Sequence, residues 1–258
     1  MTWALMSPEW IEAAGLAGLA AGPLQRALAF ASSVRAGQPL QRCCPVCGHR
    51  VTGSRCLLPA VAQVTGRCSQ CGSRIGLRPL VPELATAAVL ALLATRARSV
   101  PELAALALLA VAAITLSFID AAVRRLPDLI TLPLFAGVTG LLTVAAATGH
   151  HWDGLLRAVL AGAALAGFYL ILVIAVPAGM GGGDAKLALP VGTMLGWYGW
   201  PLLFSGTLCA FLIAGAYAVL LLISHRASRH DSFPFGPFMA AGAFLAILTA
   251  PIAGSHLP

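Results

Sequence analysis

The stretch LAALALLAVAAITLSFID, residues 103–120, is an apolar run that ends on an aspartate. From Leu103 to Ile119 it contains no charged residue, and it approaches the roughly 20 residues that a helix needs to cross a bilayer. The carboxylate of Asp120 therefore falls where a membrane-spanning helix would meet water. A carboxylate beside hydrocarbon is costly, and such groups usually have a function.

A second aspartate, Asp184, occupies a comparable place directly after the glycines Gly181 to Gly183. Glycines carry no side chain, so the backbone of a substrate could approach Asp184 closely. If the helices that carry Asp120 and Asp184 are neighbours, the two carboxylates meet at the membrane boundary. Close carboxylates cannot both ionise easily, so one would stay protonated and polarise a carbonyl while the other activates a water. The pair predicts an aspartyl protease; the alternative is that each carboxylate is structural and pairs with a neighbouring arginine.

The bulk composition is that of a membrane protein. Hydrophobic residues make up 59% of the 258 positions and charged residues 10%, and the mean hydropathy is +0.88. Soluble domains of this length do not have such a composition. The formal net charge of +7 does not indicate nucleic-acid binding, because the basic residues lie in loops between apolar runs. The lipid bilayer is therefore the predicted partner, and no nucleic-acid partner is expected.

The apolar runs predict an all-α polytopic membrane protein with about eight transmembrane helices. The predicted spans lie near Ile11–Ala31, Val81–Thr95, Leu103–Ile119, Leu129–Thr148, Leu155–Val176, Ala185–Trp197, Leu202–Ile223 and Phe235–Ile252. We divide the chain into a first transmembrane segment (1–31), a small cytoplasmic Cys-rich loop domain (32–80) and a seven-helix core (81–258). The first apolar run is weak because Pro23 and Arg26 interrupt it.

The basic residues predict the orientation of these spans. Most of the 16 Lys and Arg residues fall on the side of Asp120, Asp184 and the Cys-rich loop, whereas Arg96, Arg98 and Arg157 fall on the other side. Positively charged loops stay in the cytoplasm. We therefore expect both aspartates and the Cys-rich loop to face the cytoplasm, and both termini to lie outside.

Two Cys-x-x-Cys pairs in the loop predict a zinc site. Cys44-Pro-Val-Cys47 and Cys68-Ser-Gln-Cys71 each continue into a glycine, a pattern typical of zinc knuckles that together supply four tetrahedral ligands. A reducing cytoplasm favours metal binding over disulfides, and a site closed by four protein ligands would be structural. The alternative is a redox-active or metal-free loop. Further possible ligands are Cys43, His49 and Cys56.

Asp128 and Lys186 are charged residues near the two aspartates in sequence. Asp128 follows Pro127, a residue typical of the first turn of a helix, and its carboxylate is expected to satisfy free amides there. A direct catalytic role for Asp128 is the alternative. Lys186 either places its charge near lipid headgroups or adjusts the charge of the aspartate pair. We interpret Asp128, Gly181, Gly183 and Lys186 as supporting residues of the site.

Short motifs follow one another in a specific order along most of the chain. Besides the two Cys pairs they are Pro82-Glu83-Leu84, Phe118-Ile119-Asp120, Leu126-Pro127-Asp128, Gly181-Gly182-Gly183-Asp184-Ala185-Lys186 and Pro234-Phe235-Gly236-Pro237-Phe238. In this combination they resemble the type IV prepilin peptidase family, the bifunctional leader peptidases of pilus and type II secretion systems. Gly-x-Gly-Asp alone would not be specific.

The resemblance implies an eight-span intramembrane aspartyl protease whose catalytic residues are Asp120 and Asp184. Such enzymes remove the short basic leader from prepilins or pseudopilins, after a glycine, at the cytoplasmic face of the inner membrane. Many then methylate the new N-terminal amine with S-adenosylmethionine. Glu83 and Asp128 are candidates for contacts with the basic leader. A structural Zn²⁺ would be held by Cys44, Cys47, Cys68 and Cys71.

The N-terminal third departs from the family pattern. Gly22-Pro23-Leu24-Gln25-Arg26 replaces the usual Gly-Ser-Phe-x-Asn, and Cys56-Leu-Leu-Pro59 stands where Asn-Ile-Pro is common. This part is associated with methylation, and no Gly-rich nucleotide motif for the methyl donor is visible. The resemblance therefore supports the peptidase better than the methyltransferase. The alternative class is an ion-coupled transporter with Asp120 and Asp184 as a proton relay, although the hydropathy shows no convincing inverted repeat.

Overall fold

The chain is described by a computed structural model over residues 7–34, 38–51, 66–124, 126–175, 181–224 and 234–250. Eight helices run through these ranges: α1 (Pro8–Ser32), α2 (Val81–Ala94), α3 (Val100–Val123), α4 (Asp128–Gly149), α5 (Trp152–Ala175), α6 (Gly182–Tyr198), α7 (Trp200–Ile223) and α8 (Gly236–Thr249). Each lies on one of the eight apolar runs, so the all-helical architecture predicted from the sequence is confirmed.

Four of these helices are long and apolar enough to cross a bilayer, namely α3, α4, α5 and α7. Helices α2 and α8 are apolar but shorter, with 14 residues each. Large apolar side chains point away from the bundle, as at Phe204 and Leu212, which are 71% and 62% exposed. Such a surface is suited to lipid rather than water. The structure therefore supports a multi-pass membrane protein, and the count of eight crossings stays a prediction.

A sharp turn follows α3 and brings the start of α4 close to its end. Arg124 adopts a left-handed backbone conformation with φ of 52°, and its N–H donates to the carbonyl of Asp120 at 2.7 Å. Helix α4 then begins at Asp128, directly after Pro127. The turn therefore places Asp120 and Asp128 at the same end of the bundle.

Small residues allow neighbouring helices to approach closely. A Cβ atom added to Gly192 of α6 would lie 2.9 Å from the Cα of Gly162 of α5. A Cβ atom on Gly18 of α1 would lie 2.6 Å from the Cα of Ala87 of α2. Membrane helices associate through such small-residue seams because lipid supplies no hydrophobic drive between them.

Helix α1 is continuous although Pro23 and Arg26 interrupt its apolar run. Arg26 is 3% exposed and forms an ion pair with Glu83 of α2, with 2.8 Å between Nη2 and Oε1. A buried charge needs a partner of opposite sign. Arg26 therefore lies inside the bundle rather than in a cytoplasmic loop, and Glu83 is already paired.

The neighbouring Gln25 also connects helices through polar contacts. Its Nε2 donates to the carbonyl of Val111 in α3 at 3.0 Å, and its Oε1 accepts from the hydroxyl of Thr86 in α2 at 2.9 Å. Gln25 and Thr86 are both fully buried. These bonds tie α1 to α2 and α3 at the depth of Arg26.

Candidate active site

Asp120 lies in the last turn of α3 with its side chain turned into the bundle. The residue is 5% exposed. Its Oδ2 accepts a hydrogen bond of 3.1 Å from the backbone N–H of Gly236, the first residue of α8. A helix N-terminus carries free N–H groups and a partial positive charge, and both favour a carboxylate there. A Cβ on Gly236 would lie 3.0 Å from this same oxygen, so glycine leaves the room that the carboxylate occupies.

Asp184 is the third residue of α6 and closes the start of that helix. Its Oδ2 accepts a hydrogen bond of 3.2 Å from the backbone N–H of Gly181, the residue that precedes the helix. Asp184 is 6% exposed. A Cβ on Gly183 would lie 2.8 Å from the Cβ of Leu126, whereas a Cβ on Gly182 would meet no atom within 4 Å. Gly183 therefore allows α6 to begin directly against Leu126.

One pocket of about 330 Å³ receives both aspartates. The two carboxylates are close enough for their charges to interact. The pocket also contains every other residue that the sequence assigns to a supporting role. Its lining consists of Asp120, Arg124, Leu126, Asp128, Gly181, Gly182, Gly183, Asp184, Lys186, Pro234 and Phe235. The ends of α3 and the starts of α4, α6 and α8 thus meet at one end of the bundle.

Asp128 and Lys186 form an ion pair at the mouth of this pocket. Lys186 Nζ donates to Asp128 Oδ1 at 2.6 Å. The side chain of Lys186 is 43% exposed, and that of Asp128 is 58% exposed. Asp128 lies in the first turn of α4 as predicted. Its pairing with Lys186 was not predicted, because the two residues are far apart in sequence.

Tyr169 of α5 is a polar residue near the site that the sequence analysis missed. It is fully buried, and within the described residues its hydroxyl has no hydrogen-bond partner. Its ring stacks on Phe211 with 5.9 Å between centroids and lies 5.6 Å from the ring of Phe235, which lines the pocket. The charge of Asp184 acts on this hydroxyl. A single tyrosine inside an apolar run gives no sequence signal for such a place.

The four predicted cysteine ligands converge on one point. All four Sγ atoms lie within 4.8 Å of one another. Cys44 and Cys71 are 3.7 Å apart, and Cys47 and Cys68 are 3.6 Å apart. Cys43 and His49 do not belong to this group, and Cys56 lies outside the described residues. Four converging sulfurs are the donor set of a structural zinc site.

The two Cys-x-x-Cys turns have the same backbone geometry. The N–H of Gly48 donates to the carbonyl of Cys44, and the N–H of Gly72 donates to that of Cys68, both at 3.0 Å. Gly48 and Gly72 have φ of 71° and 67°, in the region that favours glycine. Each glycine therefore lets the chain fold back so that both thiols of its pair face the same point.

The thiols of the cluster differ in pKa. The hydroxyl of Ser73 lowers the pKa of Cys44 to about 6 and also lowers the pKa of Cys71. At Cys47 the backbone of His49 lowers the pKa, but desolvation and the neighbouring thiols outweigh it and raise the pKa to about 12. Crowded thiolates repel one another, and a bound cation removes that repulsion.

The fold and the site define a multi-pass helical membrane protein with two buried carboxylates in one pocket at one end of the bundle. Residues 107–223 match the model of the type IV leader peptidase family. The chain is 31% identical over 224 residues to a prepilin leader peptidase/N-methyltransferase of Aeromonas salmonicida, a match that covers 80% of this chain and 70% of the relative. The proteins of the same name from Aeromonas hydrophila and Pseudomonas aeruginosa are 34% and 31% identical, with the same coverage.

No solved structure matches the chain. The extent and identity of the matches to these relatives nevertheless show the family. The chain belongs to the type IV leader peptidase family and is a peptidase of that family.

Proposed function

We propose that the protein is an intramembrane aspartyl endopeptidase that removes the basic leader, after a glycine, from type IV prepilin-like or pseudopilin proteins. The observation that carries this proposal is the shared pocket of Asp120 and Asp184. Two buried carboxylates that interact with each other are the equipment of aspartic proteases. Their place at one end of the helices fits a scissile bond at the membrane boundary.

In the proposed mechanism, one aspartate is ionised and takes a proton from the attacking water. The other is protonated and donates to the oxygen of the scissile carbonyl. The backbone N–H groups of Gly236 and Gly181 hold the carboxylates of Asp120 and Asp184 in place.

Asp128 is the residue that we assign to the basic leader of the substrate. It is more than half exposed and lines the same pocket as the aspartate pair. Its partner Lys186 would be displaced by, or compete with, a lysine or arginine of the leader. Glu83 is not suited to this role, because it is buried and paired with Arg26.

We further propose that eight helices cross the inner membrane, with the aspartates and the Cys-rich loop on the cytoplasmic side. The excess of basic residues on that side supports this orientation. Zn²⁺ bound to Cys44, Cys47, Cys68 and Cys71 would leave no open coordination position and would therefore hold the loop together rather than take part in cleavage.

N-methylation with S-adenosylmethionine is the second proposed activity. Its support is the name of the relatives, prepilin leader peptidase/N-methyltransferase. The N-terminal third, where this chain departs from the family pattern, contains the buried Arg26–Glu83 pair and the Cys-rich loop.

The transporter alternative finds no support in the position of the aspartates. A proton relay across a membrane needs titratable groups near the middle of the bilayer. Asp120 lies in the last turn of α3 and Asp184 in the first turn of α6. Both are therefore at one end of the bundle.

The deciding experiment is cleavage of a purified prepilin-type substrate by the detergent-solubilised protein, with S-adenosylmethionine present and products identified by mass spectrometry. We expect Asp120→Asn and Asp184→Asn each to lower the rate by a factor on the order of 10³ or more, because loss of a general acid or base typically costs 10²–10⁴. Glu12→Gln, a carboxylate loss at an exposed site on α1, should cleave as the wild type does.

Full cleavage by both aspartate variants would overturn the assignment of the catalytic pair. A product heavier by one methyl group would establish methyl transfer in this chain. Cleavage without that mass, at saturating S-adenosylmethionine, would limit the protein to the peptidase activity.

A further inference from the structure

A second cavity, of about 520 Å³, lies at the opposite end of the bundle from the aspartates. It is formed by the start of α3, the end of α4, the start of α5 and the end of α6. At 1.5 Å per residue, Glu102 at its wall is roughly 27 Å along α3 from Asp120. The cavity is therefore separate from the proposed active site.

Glu102, which lines this cavity, is a buried carboxylate with one oxygen that has no hydrogen-bond partner among the described residues. Glu102 is 2% exposed, and its Oε2 accepts from the backbone N–H of Arg98 at 3.2 Å. Within the described residues, Oε1 has no hydrogen-bond partner. The side chains of Tyr198 and Trp197 interact with this carboxylate. An unpaired buried carboxylate oxygen is costly. A donor from a ligand in the cavity would satisfy it.

Two arginines supply positive charge at the same cavity. Arg157 donates from Nε to the carbonyl of Gly196 at 2.9 Å and from Nη2 to that of Trp197 at 2.8 Å. In the described part of the chain these bonds use two of its five N–H groups, so the guanidinium is fixed and still has donors for an anion. The guanidinium of Arg98 lies over the ring of Tyr198, 5.4 Å from its centroid.

These two arginines are also exceptions to the charge distribution of the loops. Arg98 and Arg157 lie on the side that has few basic residues, and both line this cavity. A basic residue on the side with few Lys and Arg residues weakens the charge asymmetry that orients the protein in the membrane. A binding role explains why it stands there.

We propose that this cavity binds the phosphoethanolamine headgroup of a membrane phospholipid. The ammonium group donates to Oε1 of Glu102, the phosphate accepts from Arg157, and the positive charge of Arg98 adds to the attraction. A phosphatidylglycerol headgroup would satisfy the arginines but offer Glu102 no cation, and a choline headgroup has no N–H to donate. The cavity volume is within the usual range of small-ligand sites.

The place of the cavity at the membrane edge favours a lipid over a soluble ligand. Trp152 at the start of α5 and Trp200 at the start of α7 belong to this end and are 54% and 41% exposed. Tryptophan is enriched where membrane and water meet. A headgroup of the outer leaflet would therefore reach the cavity while its acyl chains stay against the bundle.

The test uses the purified full-length protein, stripped of lipid in mild detergent. Equal amounts of dioleoyl phosphatidylethanolamine, phosphatidylglycerol and phosphatidylcholine are added, and retained lipid is counted by native mass spectrometry. We expect the wild type to retain phosphatidylethanolamine at least tenfold over the other two. Glu102→Gln should lose that preference, and Glu12→Gln should keep it. Soluble phosphoethanolamine should compete with the lipid, whereas phosphocholine should not.

Equal retention of the three lipids by the wild type would overturn the proposal, as would an unchanged preference in Glu102→Gln. Preference for phosphatidylglycerol would also overturn it, because the arginines alone would then select the ligand. Circular dichroism checks that Glu102→Gln is folded. Asp184→Asn should keep the lipid preference, so failure of the proposed peptidase mechanism and failure of this site are distinguishable.

Discussion

At the scale of single residues, Tyr169 combines full burial with a hydroxyl that has no hydrogen-bond partner in the described part of the chain. Burying an unpaired polar group destabilises a fold by about 1–3 kcal/mol. Phenylalanine would fill the same space between Phe211 and Phe235 without that cost. The electrostatic interaction of this hydroxyl with Asp184 offers a reason for tyrosine, since a donor near the proposed catalytic carboxylate can act when substrate is bound.

We therefore expect Tyr169→Phe to raise or preserve the melting temperature while it lowers kcat for leader cleavage by about tenfold or more. That factor corresponds to one hydrogen bond to a charged group, about 1.5–3 kcal/mol. Thermal unfolding in detergent and cleavage kinetics measure the two effects on the same sample. Tyr217→Phe, at a 42% exposed position of α7, is the control. A Tyr169→Phe protein with wild-type kcat would show that the hydroxyl has no part in the reaction.

At the scale of elements, close contact with Leu126 fixes the position of the start of α6. Gly182 and Gly183 are adjacent, and alanine at either position favours helix by a similar intrinsic amount, about 1 kcal/mol. Only at Gly183 would the new Cβ meet another atom, the Cβ of Leu126 at 2.8 Å. Relief of this contact needs a shift of the helix start, and Asp184 is the next residue.

Gly183→Ala should therefore lower kcat/KM for leader cleavage at least tenfold, since displacement of a catalytic group by about 1 Å can cost 100-fold. Gly182→Ala should stay close to the wild type and serves as the matched control. The two variants are compared in one cleavage assay with protein amounts equalised. Equal activities would mean that α6 tolerates the shift and that the glycine is not required for the geometry of Asp184.

The geometry of the two Cys-x-x-Cys turns favours metal binding. We expect the purified protein to contain about one zinc per chain, because four thiols converge within 4.8 Å. Cys44→Ser and Cys68→Ser should each lose most of that zinc. Cys209→Ser, in α7 and outside the cluster, should retain it. Elemental analysis after purification without chelator gives the content, and full zinc in Cys44→Ser would exclude this ligand set.

At the scale of the whole molecule, the bundle has two chemically different ends. One end holds the aspartate pair and the Asp128–Lys186 ion pair. The other holds the cavity with Glu102, Arg98 and Arg157. Buried polar contacts such as the Arg26–Glu83 pair join helices between them. Orientation in the membrane therefore decides which chemistry faces the cytoplasm.

The proposed orientation predicts that a cysteine introduced at His150, beside the second cavity, reacts with a membrane-impermeant thiol reagent added to intact spheroplasts. The exposed native Cys43 should be protected in the same cells and react only after permeabilisation. Labelling is read by mass spectrometry of the purified protein. Labelling of Cys43 in intact cells, with protection of the His150→Cys site, would reverse the orientation.

Much of this architecture follows from sequence alone. Apolar runs separated by charged loops define helices because a bilayer requires every backbone group to be satisfied within its own segment. The Cys-x-x-Cys spacing predicted the four sulfurs that the structure brings together, since ligands two residues apart on a tight turn have little freedom. The two aspartates were singled out because carboxylates are rare beside hydrocarbon.

Only the tertiary structure decided which distant residues meet. Which helix faces lie together determines several features that the sequence does not predict. They are the Lys186–Asp128 and Arg26–Glu83 pairs, the position of Tyr169 and the second cavity. In a membrane bundle, hydrophobic periodicity does not reveal which helix faces meet, because lipid-facing and buried surfaces are both apolar. Close contacts at glycine, such as Gly183 against Leu126, depend on matching shapes of two helix surfaces. Such a match between segments that are distant in sequence is not visible in the linear sequence.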